Sequence, residues 1–267
     1  MNGMGSIHDH NRRAWDAMVR ERQRFTRPAR DEDYRNPMPI IDSAAWLGGD
    51  IRGKRTLLLG SGGGRQSALY AAAGAIVTVV DISPEMLALD RAVAAERGCD
   101  IRVIVASIDD LSALPEAGFD IVSQPVSSCY VPDVIEVYRQ TARVIVPGGL
   151  YISQHKTPTS LQADVKLSPG GYELIEPYYR SGPLPEVIGS SHREVGTLEF
   201  LHRWEELIGG LCRSGFVVED LIEPLHAETD AAAGTFAHRS RYVAPYVRIK
   251  ARRVGTENRS RLVVSSS

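Results

Sequence analysis

A regular alternation of short apolar runs and helix-like segments between residues 54 and 154 constrains the fold more than any other feature of this 267-residue chain. Five runs have strand character, over 56–59, 76–80, 101–105, 119–123 and 150–154. Helical spacing lies between them, over 66–73, 84–97 and 134–144. Apolar strands joined by helices form a parallel sheet that is covered on both faces, with right-handed crossovers. The sequence therefore predicts an α/β fold with a doubly wound, mostly parallel sheet.

The remaining residues extend this core at both ends. Helical spacing predicts helices over 11–24, 40–47 and 198–214, and strands are expected over 216–221 and within 242–251, which makes seven in all. Residues 155–197 are rich in proline, glycine and tyrosine, as is typical of a lid or binding loop. We expect one domain. Its parts are an N-terminal helical cap (1–50), a cofactor-binding core (54–154), a substrate-cap insertion (155–197), the rest of the sheet (198–255) and a frayed tail (256–267).

Composition excludes several classes of partner. The net charge is −2, from 31 basic and 33 acidic residues, so no general field draws the chain to nucleic acid or anionic lipid. The longest apolar stretch, over 68–80, is interrupted by Gly74 and is shorter than the ~20 residues of a membrane span. Three scattered cysteines offer no zinc or disulfide pattern, and the N-terminus resembles no secretory signal, so we expect a cytoplasmic protein.

A glycine-rich turn follows the first strand directly, at Gly60-Ser61-Gly62-Gly63-Gly64. Asp81 ends the second strand, at the same edge of a parallel sheet, where a carboxylate can accept hydrogen bonds from a ribose diol. Together they predict a site for a nucleoside-containing cofactor. The dinucleotide fingerprint Gly-x-Gly-x-x-Gly fails, because Arg65 or Ser67 stands at its last position. These residues alone leave both a nicotinamide and S-adenosylmethionine open.

Four segments of the core then narrow the choice, and they occur in the order and spacing of a known family. They read LLLGSGGG over 57–64, VVDISPEML over 79–87, FDIV over 119–122 and RVIVPGG over 143–149. In this the chain resembles the class I S-adenosylmethionine-dependent methyltransferases, over roughly residues 54–154. The resemblance implies the Rossmann-like methyltransferase fold and S-adenosylmethionine as cofactor. A nicotinamide-dependent oxidoreductase and a cofactor-binding pseudoenzyme are the alternatives.

The resemblance also assigns positions in the cofactor site. It implies that the glycine turn wraps the methionine and ribose, with amides near the helix start facing the cofactor's carboxylate, and that Asp81 holds the ribose hydroxyls. It further implies that Ile82, Ser107 and Ile108 lie against the adenine. Gln124 and Pro125 are expected to face the sulfonium end. The full set of cofactor-binding candidates is Gly60, Ser61, Gly62, Gly64, Gln66, Asp81, Ile82, Ser107, Ile108, Asp109, Gln124 and Pro125.

Two positions depart from the family pattern. Leu58 stands where many relatives carry an acid, so the methionine ammonium is expected to bind backbone carbonyls or the N-terminal segment. Ser107 replaces a frequent aspartate, which leaves the adenine amino group to Asp109 or to a carbonyl.

The acceptor is predicted to be a small molecule. Base-modifying relatives carry Asn or Asp followed by Pro-Pro-aromatic after the fourth strand, whereas this chain reads Gln124-Pro125-Val126-Ser127, which argues against nucleic acid. Since a histidine can act as a base, His155, together with Tyr130, is a catalytic candidate. Candidates for acceptor contact are Tyr178, Tyr179 and His192. The histidines show no metal-ligand spacing, so no metal is expected.

Overall fold

The computed structural model describes residues 2–22, 27–187, 190 and 192–255. The predicted tail over 256–267 and residues 23–24 of the first predicted helix lie outside this range. Within the described residues, seven strands form one sheet. They are β1 (Arg55–Leu59), β2 (Ile76–Asp81), β3 (Ile101–Val105), β4 (Phe119–Gln124), β5 (Ile145–Lys156), β6 (Phe216–Ile222) and β7 (Tyr246–Arg253).

The order of strands across the sheet is β3-β2-β1-β4-β5-β7-β6. The neighbouring pairs from β3 to β5 are parallel, and β7 runs antiparallel to both β5 and β6. The predicted doubly wound, mostly parallel sheet is thereby confirmed. Because β1 has β2 on one side and β4 on the other, the strand order reverses at β1. Open sheets of this kind bind ligands at such a reversal, beyond the carboxyl ends of the strands.

Helices cover both faces of the sheet. They are α1 (Asn2–Arg20), α2 (Met38–Ile41), α3 (Arg65–Ala72), α4 (Pro84–Arg97), α5 (Val134–Val144), α6 (Pro158–Gln162), α7 (Leu211–Arg213) and α8 (Phe236–Arg239). Alternation along β1 separates two cores, since Leu57 packs with Tyr138 of α5 whereas Leu58 packs with Tyr70 of α3. None of the helices in the described part of the chain has the length and hydropathy of a membrane span.

The helix predicted over 40–47 is wrong. Only α2, which ends at Ile41, is helical there, and the chain then turns around Asp42. The Asp42 carboxylate accepts the amides of Trp46 at 2.7 Å and Leu47 at 2.8 Å. Both of these side chains are buried, so the apolar spacing came from a loop folded onto the core rather than from a helix.

The helix predicted over 198–214 is shorter than expected. A π-helical segment spans Glu205–Gly210 and α7 follows it, whereas residues 198–203 are not helical. Their backbone bonds other loops instead, for example from the Phe200 amide to the Cys129 carbonyl at 2.7 Å. The local spacing of apolar residues does not predict hydrogen bonds between residues so far apart in sequence.

Strand β5 begins at Ile145 rather than at residue 150, so the Pro147-Gly148-Gly149 sequence lies inside the strand. Phe119 pairs with Ile145 and Ile121 already pairs with Leu150, so the chain around Gly148 forms an irregularity opposite β4. Gly148 has a φ of 79°, a left-handed conformation that glycine adopts without strain. The Pro-Gly-Gly sequence therefore bends the edge of β5 rather than separating a helix from a strand.

Candidate cofactor site

A cavity lies at the carboxyl ends of β1 to β4, where the strand order reverses, with about 550 Å³ of empty space when the open solvent at its mouth is counted. Residues at and after those strand ends line it, together with three residues of α1. The lining residues are His8, Asn11, Trp15, Gly60, Asp81, Ile82, Met86, Ser107, Ile108, Val126, Ser127, Tyr130 and Val131. Ligand sites in open sheets of this kind lie at this place.

The glycine turn approaches its neighbours so closely that side chains are excluded. A Cβ on Gly60, whose φ is 57°, would lie 2.6 Å from the Cβ of Ser127. On Gly62 it would lie 2.7 Å from the Cβ of Met86 and 2.9 Å from Oδ2 of Asp81. The turn therefore needs glycine at both positions, and it brings β1 into contact with the chain that follows β4.

Asp81 faces the cavity from the end of β2, as the sequence predicts. Its Oδ2 accepts the Gly62 amide at 2.9 Å and its Oδ1 accepts the Ser83 amide at 2.9 Å. Burial raises the pKa of this carboxyl group, while the amides act in the opposite direction. The N-cap of α4 is Ser83, whose hydroxyl accepts the Met86 amide. Asp81 is therefore not needed as the cap, and its oxygens keep lone pairs for a ligand.

Asp90 of α4 is a part of the site that the sequence reasoning missed. It accepts the Gly63 amide at 3.0 Å and the Gly64 amide at 3.1 Å. The amides of Gly62, Gly63 and Gly64 thus all donate to carboxylates of the protein. The expectation that loop amides face the cofactor's carboxylate does not hold for these three.

The wall beyond β2 and β3 contains the residues expected beside an adenine. Ile82, Ser107 and Ile108 all line the cavity. Asp109 lies behind them and pairs with His8 of α1, from Oδ2 to Nε2, at 3.0 Å. Among the described residues, Asp109 Oδ1 is buried without a hydrogen-bond partner, and so is the Ser61 hydroxyl of the glycine turn.

The chain after β4 forms the opposite wall, with different residues from those expected. Gln124 is buried, donates to the Ser127 hydroxyl at 3.1 Å and accepts the Tyr151 hydroxyl. Neither Gln124 nor Pro125 is a lining residue; Val126 and Ser127 occupy that place. Gln66 and Gly64 lie at the start of α3, likewise outside the lining.

Helix α1 lines the cavity, and Asn11 holds it to two other parts of the chain, at Tyr130 and at Leu198. The Asn11 amide group donates to the Tyr130 carbonyl at 2.9 Å and the Leu198 carbonyl at 3.1 Å, and its oxygen accepts the Leu198 amide at 2.7 Å. Trp15 meets the Tyr130 ring edge-on, with centroids 5.3 Å apart. Three residues of the segment predicted as an N-terminal cap, His8, Asn11 and Trp15, thus line the cavity.

Tyr130 connects the cavity to a buried ionic cluster. Its hydroxyl donates to Glu194 at 2.6 Å, and Lys156 contacts Glu194 at 2.7 Å and Glu199 at 2.6 Å. Burial raises the pKa of Tyr130 well above its ordinary value, so the phenol stays neutral. Burial opposes the charge on Lys156, but its anionic neighbours outweigh that effect and hold its pKa above the ordinary value. The insertion therefore contributes Glu194 behind the cavity wall.

Four of the predicted catalytic and acceptor-contact residues do not line the cavity. His155 is 1% exposed and both ring nitrogens bond serine hydroxyls, at 2.7 Å to Ser128 and 2.8 Å to Ser153. Burial lowers its pKa to about 3, so it is neutral and already occupied.

The other three lie in the insertion. His192 is buried and bonds the Ser160 hydroxyl at 2.8 Å. Tyr178 accepts the Trp204 amide, and Tyr179 is 78% exposed on the surface, stacked under Arg203. Of the candidates for catalysis and acceptor contact, the structure brings only Tyr130 to the cavity. No group of three metal-ligating side chains occurs in the described ranges.

The chemistry of this cavity fits a nucleoside carrying a polar tail. A carboxylate with spare lone pairs lies near the two aliphatic side chains of Ile82 and Ile108, as a ribose next to an adenine requires. Among the described residues, the oxygens Ser61 Oγ and Asp109 Oδ1 are buried without a hydrogen-bond partner. Each belongs to the residue that follows a lining residue, Gly60 or Ile108. The fold and the site together define a Rossmann-like S-adenosylmethionine-dependent methyltransferase.

Comparison with known proteins gives the same class. A family model described as "Methyltransferase domain" matches residues 57–153. The chain is 32% identical over 235 residues to YbaJ of Bacillus subtilis (strain 168), an uncharacterized methyltransferase, covering 82% of this chain and 91% of that protein. A ubiquinone biosynthesis O-methyltransferase of Xanthomonas oryzae pv. oryzae is 35% identical over 127 residues, 47% of this chain and 52% of its own length.

The likeness extends to solved structures. An S-adenosylmethionine-dependent methyltransferase from Mesorhizobium loti has a TM-score of 0.62 at 22% identity, over 80% of this chain and 98% of that one. This chain belongs to the class I S-adenosylmethionine-dependent methyltransferases, and S-adenosylmethionine is its cofactor. The alternative of a nicotinamide-dependent oxidoreductase is wrong, because the family and the failed dinucleotide fingerprint agree against it.

Proposed function

We propose that this methyltransferase acts on a small, partly apolar molecule in the cytoplasm. The observation that carries the proposal is the apolar and aromatic lining that α1 adds to the cavity, where Trp15 packs edge-on against Tyr130. A cavity lined on one side by this helix and its aromatic ring suits a metabolite-sized acceptor better than a polymer. The partial match to ubiquinone biosynthesis O-methyltransferases, which act on a small molecule by name, supports the same choice.

When bound, S-adenosylmethionine supplies a methyl group that is already activated for transfer. The protein's own residues then have to bind, orient and exclude water, which can account for roughly 7–11 kcal/mol of a barrier in ideal cases. Asp81 would hold the ribose hydroxyls, with Ile82 and Ile108 beside the adenine. Trp15 and Tyr130 would contact the acceptor, and the cap made by α1 and the insertion would select it.

Tyr130 is the group best placed to orient the acceptor. Its hydroxyl proton is directed to Glu194 at 2.6 Å, so its oxygen lone pairs remain to accept a hydrogen bond from an acceptor hydroxyl or amine. This role needs no titration of Tyr130. His155 has no part in the proposal, because its ring is enclosed by two serines.

The proposal is tested by incubating the pure protein with methyl-labelled S-adenosylmethionine and a metabolite extract. We expect label in one or a few small molecules, and less label at a subsaturating S-adenosylmethionine concentration when Asp81→Asn replaces the wild type. Label confined to protein or nucleic acid would contradict the small acceptor. Binding of S-adenosylhomocysteine without any labelled product would favour the pseudoenzyme alternative.

A further inference from the structure

Two buried carboxylates hold three successive amides of the glycine turn. Asp81 accepts the Gly62 amide at 2.9 Å, and Asp90 accepts those of Gly63 and Gly64 at 3.0 and 3.1 Å. Asp81 faces the cavity, whereas Asp90 lies behind the turn and is fully buried. The turn is therefore fixed from both sides by groups that belong to the protein.

Helix α4 supports the turn at several points. A Cβ on Gly64 would lie 2.7 Å from Val93 and 3.0 Å from the Leu89 carbonyl, so the turn rests directly on this helix. The Gly63 amide also reaches the Met86 carbonyl, at 3.1 Å. The first turn of α3 adds the Ser67 hydroxyl, which donates to the same Asp90 oxygen as Gly64. Asp90 thus joins α4, the turn and α3 through one carboxylate.

The conformation held in this way needs a fixed partner. Gly63 and Gly64 have φ values of 108° and 78°, and a glycine-rich segment loses more conformational freedom on ordering than any other. A turn without Asp90 would leave the buried Gly64 amide without its acceptor, which is costly away from water. Burial raises the pKa of Asp90 to about 6, and the loop amides and Ser67 counteract that rise.

We propose that Asp90 is a positioning residue for cofactor binding, which holds the Gly62–Gly64 turn, and through it the Asp81 carboxylate, in the binding conformation before the cofactor arrives. Binding then carries no cost of ordering the turn, which is how preorganisation increases affinity. The Asp90 carboxylate also occupies the amino end of α3, the place where an anionic ligand group would otherwise bind. The cofactor's own carboxylate must accordingly be bound elsewhere in the cavity.

The test compares two variants that change the same kind of group in different places. Asp90→Asn keeps the shape but turns an amide NH₂ toward at least one backbone donor. Asp42→Asn is the control, because Asp42 also accepts two backbone amides, at 2.7 and 2.8 Å, in a loop outside the cavity. Titration calorimetry with S-adenosylhomocysteine and thermal unfolding are measured on both full-length variants.

We expect Asp90→Asn to bind S-adenosylhomocysteine at least about tenfold more weakly than wild type. Asp42→Asn should lower the unfolding temperature but keep wild-type affinity while folded. Unchanged affinity in folded Asp90→Asn, or an equal loss in Asp42→Asn, would overturn the proposal. Amide exchange adds a direct readout, since protection of Gly64 in the cofactor-free wild type should be lost in Asp90→Asn.

If Asp90→Asn fails to fold, Ser67→Ala decides the matter. It removes one hydrogen bond to the Asp90 carboxylate and leaves both amide contacts in place. We expect a loss of affinity of a few fold, with Gly64 exchanging faster in the cofactor-free protein. Wild-type affinity together with wild-type exchange at Gly64 would contradict the positioning role.

Discussion

We expect cofactor affinity to depend on Asp81 more than on any other single side chain. Asp81→Asn removes the charge that strengthens hydrogen bonds to ribose hydroxyls, each worth about 1.5–3 kcal/mol with a charged partner. We expect the affinity for S-adenosylhomocysteine to fall at least about tenfold, equivalent to 1.4 kcal/mol, in calorimetric titration. Far-ultraviolet circular dichroism should show an unchanged fold. Wild-type affinity in the folded variant would refute the assignment to the ribose.

Motif reading found Asp81 but not the other residues that shape the turn. Asp81 could be predicted because it follows a strand at a fixed distance from the glycines, both of which are local features. Asp90 lies inside an ordinary helical segment, and its contact with Gly63 and Gly64 depends on how α4 packs. Ser127 was likewise missed, since only the folded chain shows a Cβ at Gly60 meeting it at 2.6 Å.

His155 makes a prediction about acid stability rather than about catalysis. Its pKa is lowered to about 3 by burial, against an ordinary value of about 6.5, so the unfolded chain binds a proton between these values and the folded protein does not. Stability that is fully present above pH 6.5 is therefore lost as the pH falls. The expected loss from this residue between pH 7 and pH 5 is about 2 kcal/mol.

Urea unfolding at the two pH values measures this effect. In His155→Gln, which can still bond Ser128 and Ser153, the decrease in unfolding free energy from pH 7 to pH 5 should be smaller by that amount. Other buried histidines, such as His192 and His202, act in the same direction and remain in both proteins. An identical pH dependence in wild type and variant would show that His155 is not held neutral.

Among the elements, α1 lines the cavity, and we expect it to control access. Asn11 is 2% exposed and makes three hydrogen bonds that hold the helix to Tyr130 and Leu198. Asn11→Ala removes this partner from three backbone groups, one buried and two partly buried, which favours opening of the helix. We expect S-adenosylhomocysteine to dissociate at least about tenfold faster in stopped-flow measurements, because changes of this kind act mainly on the dissociation rate constant.

Arg12→Ala is the matched control on the same helix. The Arg12 side chain is 40% exposed and pairs with Asp9 of its own helix, an interaction typically worth less than about 1 kcal/mol. Its dissociation rate should equal that of wild type. Equal rates in all three proteins would mean that α1 does not gate the cavity.

Sequence spacing predicted the elements of the core better than those of the additions. From residue 54 to 144 each strand and helix is local in origin, since apolar runs and caps such as Ser83 and Gly98 determine where it begins and ends. Residues 198–203 and 42–47 contain apolar side chains at similar intervals, but they form loops, the first bonded to distant residues and the second folded around Asp42. Apolar residues at helical spacing indicate only that one face of the segment is buried. A loop that lies on the core buries one face too, and it therefore shows the same spacing.

For the molecule as a unit, the sheet and its reversal at β1 follow from the order of segments along the chain. The position of the cofactor cavity follows in turn, because glycines and Asp81 end neighbouring strands at that reversal. The rest of the cavity lining did not follow, since Trp15, Val126 and Tyr130 come from segments far apart in sequence. Those contacts require the cap to be folded over the core.

A crystal structure with S-adenosylhomocysteine tests the central claim most directly. The account predicts the product in the cavity beneath α1, its ribose hydroxyls on the Asp81 carboxylate and its adenine beside Ile82 and Ile108, with the Gly62–Gly64 turn still held by Asp90. Density for the product elsewhere, or a cavity filled by side chains of α1 at saturating product, would contradict it.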